Sequence, residues 1–147
     1  MKRRILLVDD DLAVLLTLKA VLEFHGFEVE TAANTADAFL HLESSTYHMV
    51  ISDLRMETED AGMEVIRAAR RQQYDPATAL LTAYPPSSER ANGQPSLKEQ
   101  PHSLLVKPLG ASDLIRQIEA LLIRHADRQQ LRQRSTSPAP ALRRTAG

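Results

Sequence analysis

The stretch "RRILLVDDDLAVL", residues 3–15, places a run of four apolar residues directly before three consecutive carboxylates. The run Ile5–Val8 has no polar interruption, which predicts a strand buried on both faces, as in a parallel sheet covered by helices. From Leu12 the apolar residues recur at helical spacing as far as Gly26, so we predict a helix with Asp11 as its N-cap. Two unit charges about 4 Å apart repel by roughly 4 kcal/mol at a protein surface. An acidic cluster of this kind therefore needs a compensating cation, or one of its acids must cap a helix.

Three later apolar runs also end on a polar side chain, and helical patterns lie between most of these strands. Alternating strands and helices predict an α/β fold with a parallel sheet, right-handed crossovers and helices on both faces. In such a sheet, ligands bind in the crevice at the carboxyl ends of the strands, so function is expected there. The polar residues that the strand ends bring to this crevice are Asp9, Asp10, Asp53, Thr82 and Lys107.

The composition fits one folded domain with an appendage, because 147 residues are enough for a single core and few for two. The 18 Lys and Arg nearly balance the 19 Asp and Glu, although six Arg and only one acid lie from Arg124 onward. There are no cysteines, which excludes disulfides, thiolate metal sites and a cysteine nucleophile. The first apolar run is too short for a signal peptide or a membrane span, so we expect a cytoplasmic protein that does not contact membranes.

Four short motifs follow the strand ends in order: "VDD" at 8–10, "SDLRM" at 52–56, "LTA" at 81–83 and "VKP" at 106–108. Together they resemble the receiver domain of bacterial response regulators. The resemblance implies a flavodoxin-like doubly wound fold over residues 2–123, with a five-stranded parallel sheet in the order 2-1-3-4-5. Residues 124–147 are then a basic tail, which we predict to begin as a helical extension and to end in disorder.

The resemblance also implies that Asp53 accepts a phosphoryl group from a histidine kinase and becomes an acyl phosphate, with Mg²⁺ as the cofactor. Asp10 and Asp53 are then direct metal ligands, Asp9 acts largely through a bound water, and the carbonyl of Arg55 completes the protein ligands. The acids of the opening stretch thus divide, since Asp9 and Asp10 hold metal whereas Asp11 caps a helix.

By the same resemblance, two residues contact the phosphoryl group itself. Lys107 supplies a fixed positive charge to its oxygens, and the hydroxyl of Thr82 donates a hydrogen bond once phosphate is present. Arg55 and Tyr84 stand two residues beyond Asp53 and Thr82, at positions that tune hydrolysis of the phosphoryl group. We expect the bulky, cationic Arg55 to slow its loss.

The chain departs from the family pattern in two segments. The family usually has Pro after the Met of the acceptor loop, but here Glu57 stands there, close to Glu59 and Asp60, and we expect a solvated acidic loop. Residues 84–102 should hold the fourth helix, yet they contain four Pro and a Gly, which predicts a short or degenerate helix. Leu104 also replaces a common aromatic, so an altered output face is expected.

We therefore predict a stand-alone receiver that signals through altered protein interactions and catalyses only its own phosphorylation and dephosphorylation. Its expected partners are a sensor histidine kinase or phosphotransfer protein and a further downstream protein; a homodimer stays open, and no direct DNA binding is expected. Two alternatives stay open as well: a pseudo-receiver adaptor that works without phosphate, and a receiver fragment of a DNA-binding response regulator. A phosphohydrolase of the haloacid dehalogenase type needs an Asp-x-Asp motif on the first strand, which "DDDLA" fits poorly.

Overall fold

A computed structural model of the chain describes residues 2–82, 103–106 and 110–136. Strands and helices alternate along these residues until the last two strands. The elements are β1 (Arg4–Val8), α1 (Leu12–Phe24), β2 (Glu28–Ala32), α2 (Thr35–Ser44), β3 (Met49–Asp53), α3 (Ala61–Arg70), β4 (Ala77–Thr82), β5 (Ser103–Val106) and α4 (Ala111–Thr136).

The strands form one parallel sheet in the order β2-β1-β3-β4-β5, which confirms the predicted doubly wound fold. In the register of the sheet, Val8 lies opposite Ala32 on one side and Ser52 on the other. Thr82 lies opposite Val106. The carboxyl ends of β1, β3 and β4 therefore meet at one edge of the sheet. The predicted short fourth helix falls in residues 84–102, which lie outside the described residues.

The core has two layers because the strands are buried on both faces. Ile5 and Leu7 pack on one side of the sheet, in a cluster that includes side chains of α1 and α4. Leu6 and Val8 pack on the other side, in a cluster that includes side chains of α2 and α3. Successive side chains of a strand point to opposite faces, so an unbroken apolar run is what a doubly covered strand requires.

Local capping fixes where the first two helices begin and where the first one ends. The side chain of Asp11 accepts hydrogen bonds from the first-turn amides of α1, as predicted for an N-cap. Asn34 caps α2 by accepting from the amide of Asp37 at 2.8 Å. Gly26 follows the end of α1 with a φ of +93°, a backbone conformation that glycine adopts without steric cost.

Helix α4 runs without a break past position 124, where the sequence predicts the tail to begin. The loop before β4 holds this extension: the carbonyl oxygen of Asp75 accepts from His125 Nε2 at 2.8 Å and from Gln129 Nε2 at 3.0 Å. The Asp75 carboxylate also bonds to Arg132. Helix α4 therefore contacts the loop before β4 through residues beyond position 124, while residues 137–147 lie outside the described residues. No helix in the described part of the chain has both the length and the apolar character needed to span a membrane.

Candidate functional site

Three carboxylates meet at the carboxyl edge of the sheet. Asp9 and Asp10 follow β1, Asp53 is the last residue of β3, and β1 and β3 are neighbours in the sheet. Carboxylate oxygens of the three residues lie within 4.8 Å of one another, close enough to bind a single metal ion. The sequence placed these acids at adjacent strand ends, and the structure brings them together.

The three acids differ in their access to solvent. Asp9 is only 1% exposed, Asp53 is half-buried, and Asp10 is exposed. The backbone N–H of Asp9 donates to the carbonyl of Ala32 at 3.1 Å, and its Oδ1 accepts from the N–H of Asp11 at 2.9 Å. Burying an ionised carboxylate is costly unless hydrogen bonds or a cation compensate its charge. A buried acid with two further carboxylates beside it is thus well suited to hold a cation at the carboxyl edge of the sheet.

Backbone contacts fix the end of β3 that carries Asp53. The N–H of Leu54 donates to the carbonyl of Leu81 at 3.1 Å, and the N–H of Gly62 donates to the carbonyl of Leu54 at 2.8 Å. A Cβ atom on Gly62 would lie 2.2 Å from the carbonyl oxygen of Asp53, so α3 begins directly against the end of β3. We did not predict this role for Gly62. Its position just after an acidic loop is the only signal in the sequence that points to a close approach there.

The loop that follows Asp53 is tied to the start of α2. Oε2 of Glu57 accepts from the backbone N–H of Thr35 at 3.0 Å and from its hydroxyl at 2.8 Å. The backbone hydrogen bond from Thr35 is the main reason why the pKa of Glu57 lies below its usual value. Glu57 is exposed, as expected for a solvated loop, but its carboxylate also bonds to another element of the fold. No pattern in the sequence indicates that Thr35 is the partner of Glu57.

The other predicted site residues fall into two groups. Thr82 ends β4 and is 4% exposed, one residue beyond Leu81, which lies opposite Asp53 in the register of the sheet. The side chain of Arg55 is exposed in the loop after β3. Lys107 and Tyr84 lie outside the described residues, so their predicted places in the site stay predictions.

The sequence of the chain matches the family model of the response regulator receiver domain over residues 5–119. The chain belongs to this family. Its relatives include the transcriptional regulatory protein PrrA of Mycobacterium leprae, which is 33% identical over 121 residues. The alignment covers 82% of this receiver and 50% of PrrA, so the chain spans about half the length of that curated relative.

Solved structures of response regulators superimpose on this fold. A CheY-like response regulator receiver domain from Methanospirillum hungatei superimposes with a TM-score of 0.75 at 28% identity, covering 87% of this chain and 99% of the other. The response regulator TrrA from Thermotoga maritima, solved in complex with Mg(2+)-BeF, superimposes with a TM-score of 0.67 at 33% identity, covering 82% and 99%. The chain is thus a receiver module of two-component signalling, and its family is a signalling module rather than a conventional class of enzyme.

Proposed function

We propose that this receiver accepts a phosphoryl group on Asp53 from a histidine kinase or phosphotransfer protein, and signals through altered protein interactions. The observation that carries the proposal is the cluster of Asp9, Asp10 and Asp53, whose carboxylate oxygens lie within 4.8 Å of one another in a chain of this family. The donor and the acceptor are both anionic, so the cluster needs a cation before transfer can proceed.

The donor set fits Mg²⁺, which prefers oxygen ligands and is usually held by one or two carboxylates together with waters and phosphate oxygens. Asp10 and Asp53 would hold the ion directly, Asp9 largely through a water, and the carbonyl of Arg55 would complete the protein ligands. When bound, the ion supplies positive charge that offsets repulsion between the carboxylates and the incoming phosphoryl group. The complex of TrrA with Mg(2+)-BeF, in a protein 33% identical to this one, supports the assignment.

The transfer itself is a nucleophilic displacement by Asp53. A carboxylate oxygen attacks the phosphorus of the phosphohistidine, an O–P bond forms as the P–N bond breaks, and the electron pair leaves with the imidazole nitrogen. We assign Lys107 to the phosphoryl oxygens as a fixed positive charge, on the strength of its motif. The hydroxyl of Thr82, at the end of β4, would donate a hydrogen bond to the transferred group and carry the signal outward through its loop.

Phosphorylation by a small donor tests the proposal without the cognate kinase. With acetyl phosphate and Mg²⁺, the full chain should gain one phosphoryl group by intact mass, and Asp53→Asn should gain none. Asp60→Asn is the matched control, because Asp60 is an exposed acid of the same loop. A wild-type protein that gains no phosphoryl group while binding Mg²⁺ would instead support the pseudo-receiver adaptor.

Arg55 and Tyr84 are proposed to tune the lifetime of the acyl phosphate. The exposed cationic side chain of Arg55 would shield the phosphoryl group from water, so Arg55→Ala should lose phosphate faster than wild type. The decay of the phosphorylated protein, followed by mass after donor removal, measures this directly. Slower decay in Arg55→Ala would refute the role.

A second candidate function follows from the relatives. PrrA is named a transcriptional regulatory protein and is about twice the length of the aligned region. The chain would then act as the receiver part of a regulator that binds DNA through other residues. Phosphorylation of Asp53 is expected in both cases, so the two are separated by whether the polypeptide purified from its natural source binds duplex DNA while this chain alone does not.

A further inference from the structure

The loop after the proposed acceptor, residues 54–60, is hydrogen-bonded to the start of α2. Glu57 Oε2 accepts from both the N–H and the hydroxyl of Thr35, at 3.0 and 2.8 Å. Thr35 is the first residue of α2, and the N-cap Asn34 uses its own side chain on the amide of Asp37. Glu57 therefore pairs with a helix amide for which the first turn of α2 has no intrahelical acceptor.

The bond between Glu57 and Thr35 links the acceptor loop to the segment between β2 and α2, which also contacts Asp9. On one side, the carbonyl of Ala32 accepts from the N–H of Asp9 at 3.1 Å, just before the turn that leads to Thr35. On the other side, Glu57 comes four residues after Asp53. The position of the loop relative to Asp9 and Asp53 is thus linked to the same short turn between β2 and α2.

The ends of the loop are anchored by backbone bonds, and Glu57 anchors its middle. Leu54 and Gly62 are held at 3.1 and 2.8 Å by the bonds described above, while the N–H of Met56 donates to the carbonyl of Thr58 at 3.1 Å within the loop. A proline at position 57 would restrict the backbone through its ring. A glutamate there leaves the backbone more freedom, which a hydrogen bond to a rigid helix start can remove.

We propose that Glu57 is a positioning residue, whose hydrogen bonds to Thr35 hold the acceptor loop, and with it the carbonyl of Arg55, in the geometry that binds the metal ion. The inference rests on the proposed function, because it deepens the account of the same site. Loss of the bonds should weaken Mg²⁺ binding by roughly three- to tenfold, the effect expected from one ordinary hydrogen bond that favours the bound geometry.

Three single variants separate positioning from simple charge. Glu57→Ala removes the acceptor and one negative charge. Glu59→Ala removes the same charge from an exposed acid of the same loop and is the matched control. Thr35→Pro removes both donors without changing any charge, and proline suits the first position of a helix. The extended backbone of Asn34, with φ −159° and ψ 174°, is also compatible with a following proline.

Mg²⁺ affinity of the full chain, measured by calorimetry, is the main readout, and amide hydrogen exchange of residues 54–60 is the second. We expect Glu57→Ala and Thr35→Pro to weaken Mg²⁺ binding to a similar extent and to raise exchange in the loop. The double variant should bind Mg²⁺ no more weakly than Glu57→Ala alone, because both substitutions remove the same contact. Glu59→Ala should show a smaller loss of affinity and unchanged exchange.

Two results would overturn the inference while leaving the proposed function intact. One is a Thr35→Pro variant that binds Mg²⁺ as wild type does, and the other is equal losses in Glu57→Ala and Glu59→Ala. A wild-type protein that binds no Mg²⁺ would overturn the proposed function, and the role of Glu57 with it. The two failures are therefore distinguishable from the wild-type measurement alone.

Discussion

Replacing Gly62 with alanine should displace the start of α3 from the end of β3. The added Cβ would lie 2.2 Å from the carbonyl oxygen of Asp53, 2.6 Å from Cα of Leu54 and 2.9 Å from the carbonyl carbon of Asp53. All three atoms belong to the backbone, so no side chain can rotate away. Because non-bonded atoms prefer separations of about 3.5 Å, the helix start has to withdraw by about 1 Å.

The energetic cost follows from two opposing effects. Alanine is a better helix former than glycine by up to about 1 kcal/mol, which favours the variant. Overpacking typically costs about 1–3 kcal/mol, and a collision with backbone atoms, which cannot rotate away, belongs at the upper end. We therefore expect Gly62→Ala to lower the free energy of unfolding by about 2 kcal/mol, and the melting temperature by roughly 5–8 °C.

Urea denaturation followed by circular dichroism measures the loss of stability, and calorimetric titration measures the effect on Mg²⁺ binding. Gly110→Ala is the matched control, because among the described residues its Cβ would meet nothing closer than Asp113 Oδ2 at 3.9 Å. Gly110 precedes α4, at a position where alanine is a weaker N-cap than glycine. The free energy of unfolding of the control should therefore fall by less than about 1 kcal/mol. If Gly62→Ala were as stable as this control and bound Mg²⁺ like wild type, the close approach would not constrain the site.

Three further predictions concern other parts of the fold. Asp11→Ala removes the acceptor for the first-turn amides of α1 and should lower the free energy of unfolding by about 1 kcal/mol in urea denaturation; an unchanged midpoint would contradict the cap. His48 Nδ1 accepts from the N–H of Arg4 at 2.9 Å, and burial, followed by nearby arginine charges, lowers the pKa of His48 below its usual 6.5. The contribution of the neutral imidazole to stability is complete above pH 6.5 and is lost as the pH falls toward the lowered pKa. The free energy of unfolding of wild type should therefore fall more between pH 7 and pH 5 than that of His48→Asn. Parallel plots of stability against pH for the two proteins would argue against this role. Asp75→Ala removes a carboxylate bonded to α4 and puts alanine at a φ of 51°. It should lower the free energy of unfolding by about 1–2 kcal/mol and raise amide hydrogen exchange after residue 124. Asp75→Gly also removes the carboxylate but avoids the backbone strain, so it should lose less stability.

The fold was predictable where its signals are local. The apolar runs at Ile5–Val8 and Met49–Ser52 indicate strands covered on both faces, and both lie in the interior of the sheet. Asp11 and Asn34 mark helix starts because a cap acts on amides only two or three residues away. The order of the strands has no local signal, since it depends on which strands pair. The resemblance of the motifs to the receiver family supplied that part of the prediction.

The site was predictable only in part for the same reason. Parallel strands deliver their carboxyl ends to one edge, so the meeting of Asp9 with Asp53 follows from topology. The bond between Glu57 and Thr35 joins a loop to a helix start 22 residues away in the sequence. Neither segment has a periodicity that could indicate its partner, because the contact arises from packing and not from a repeated pattern.

The three carboxylates repel one another, so the backbone around them must keep them close together. Each carboxylate at the edge of the sheet is pushed away from the others by Coulomb repulsion, which grows as burial lowers the local dielectric. What opposes the push is backbone: Asp9 N–H on the carbonyl of Ala32, Leu54 N–H on the carbonyl of Leu81, and a helix start against Asp53. A frame built from backbone atoms keeps its shape when a side chain gains or loses charge. Under the proposed function, a cation and later a phosphoryl group would therefore be held by acids whose positions are fixed by the sheet and by α3.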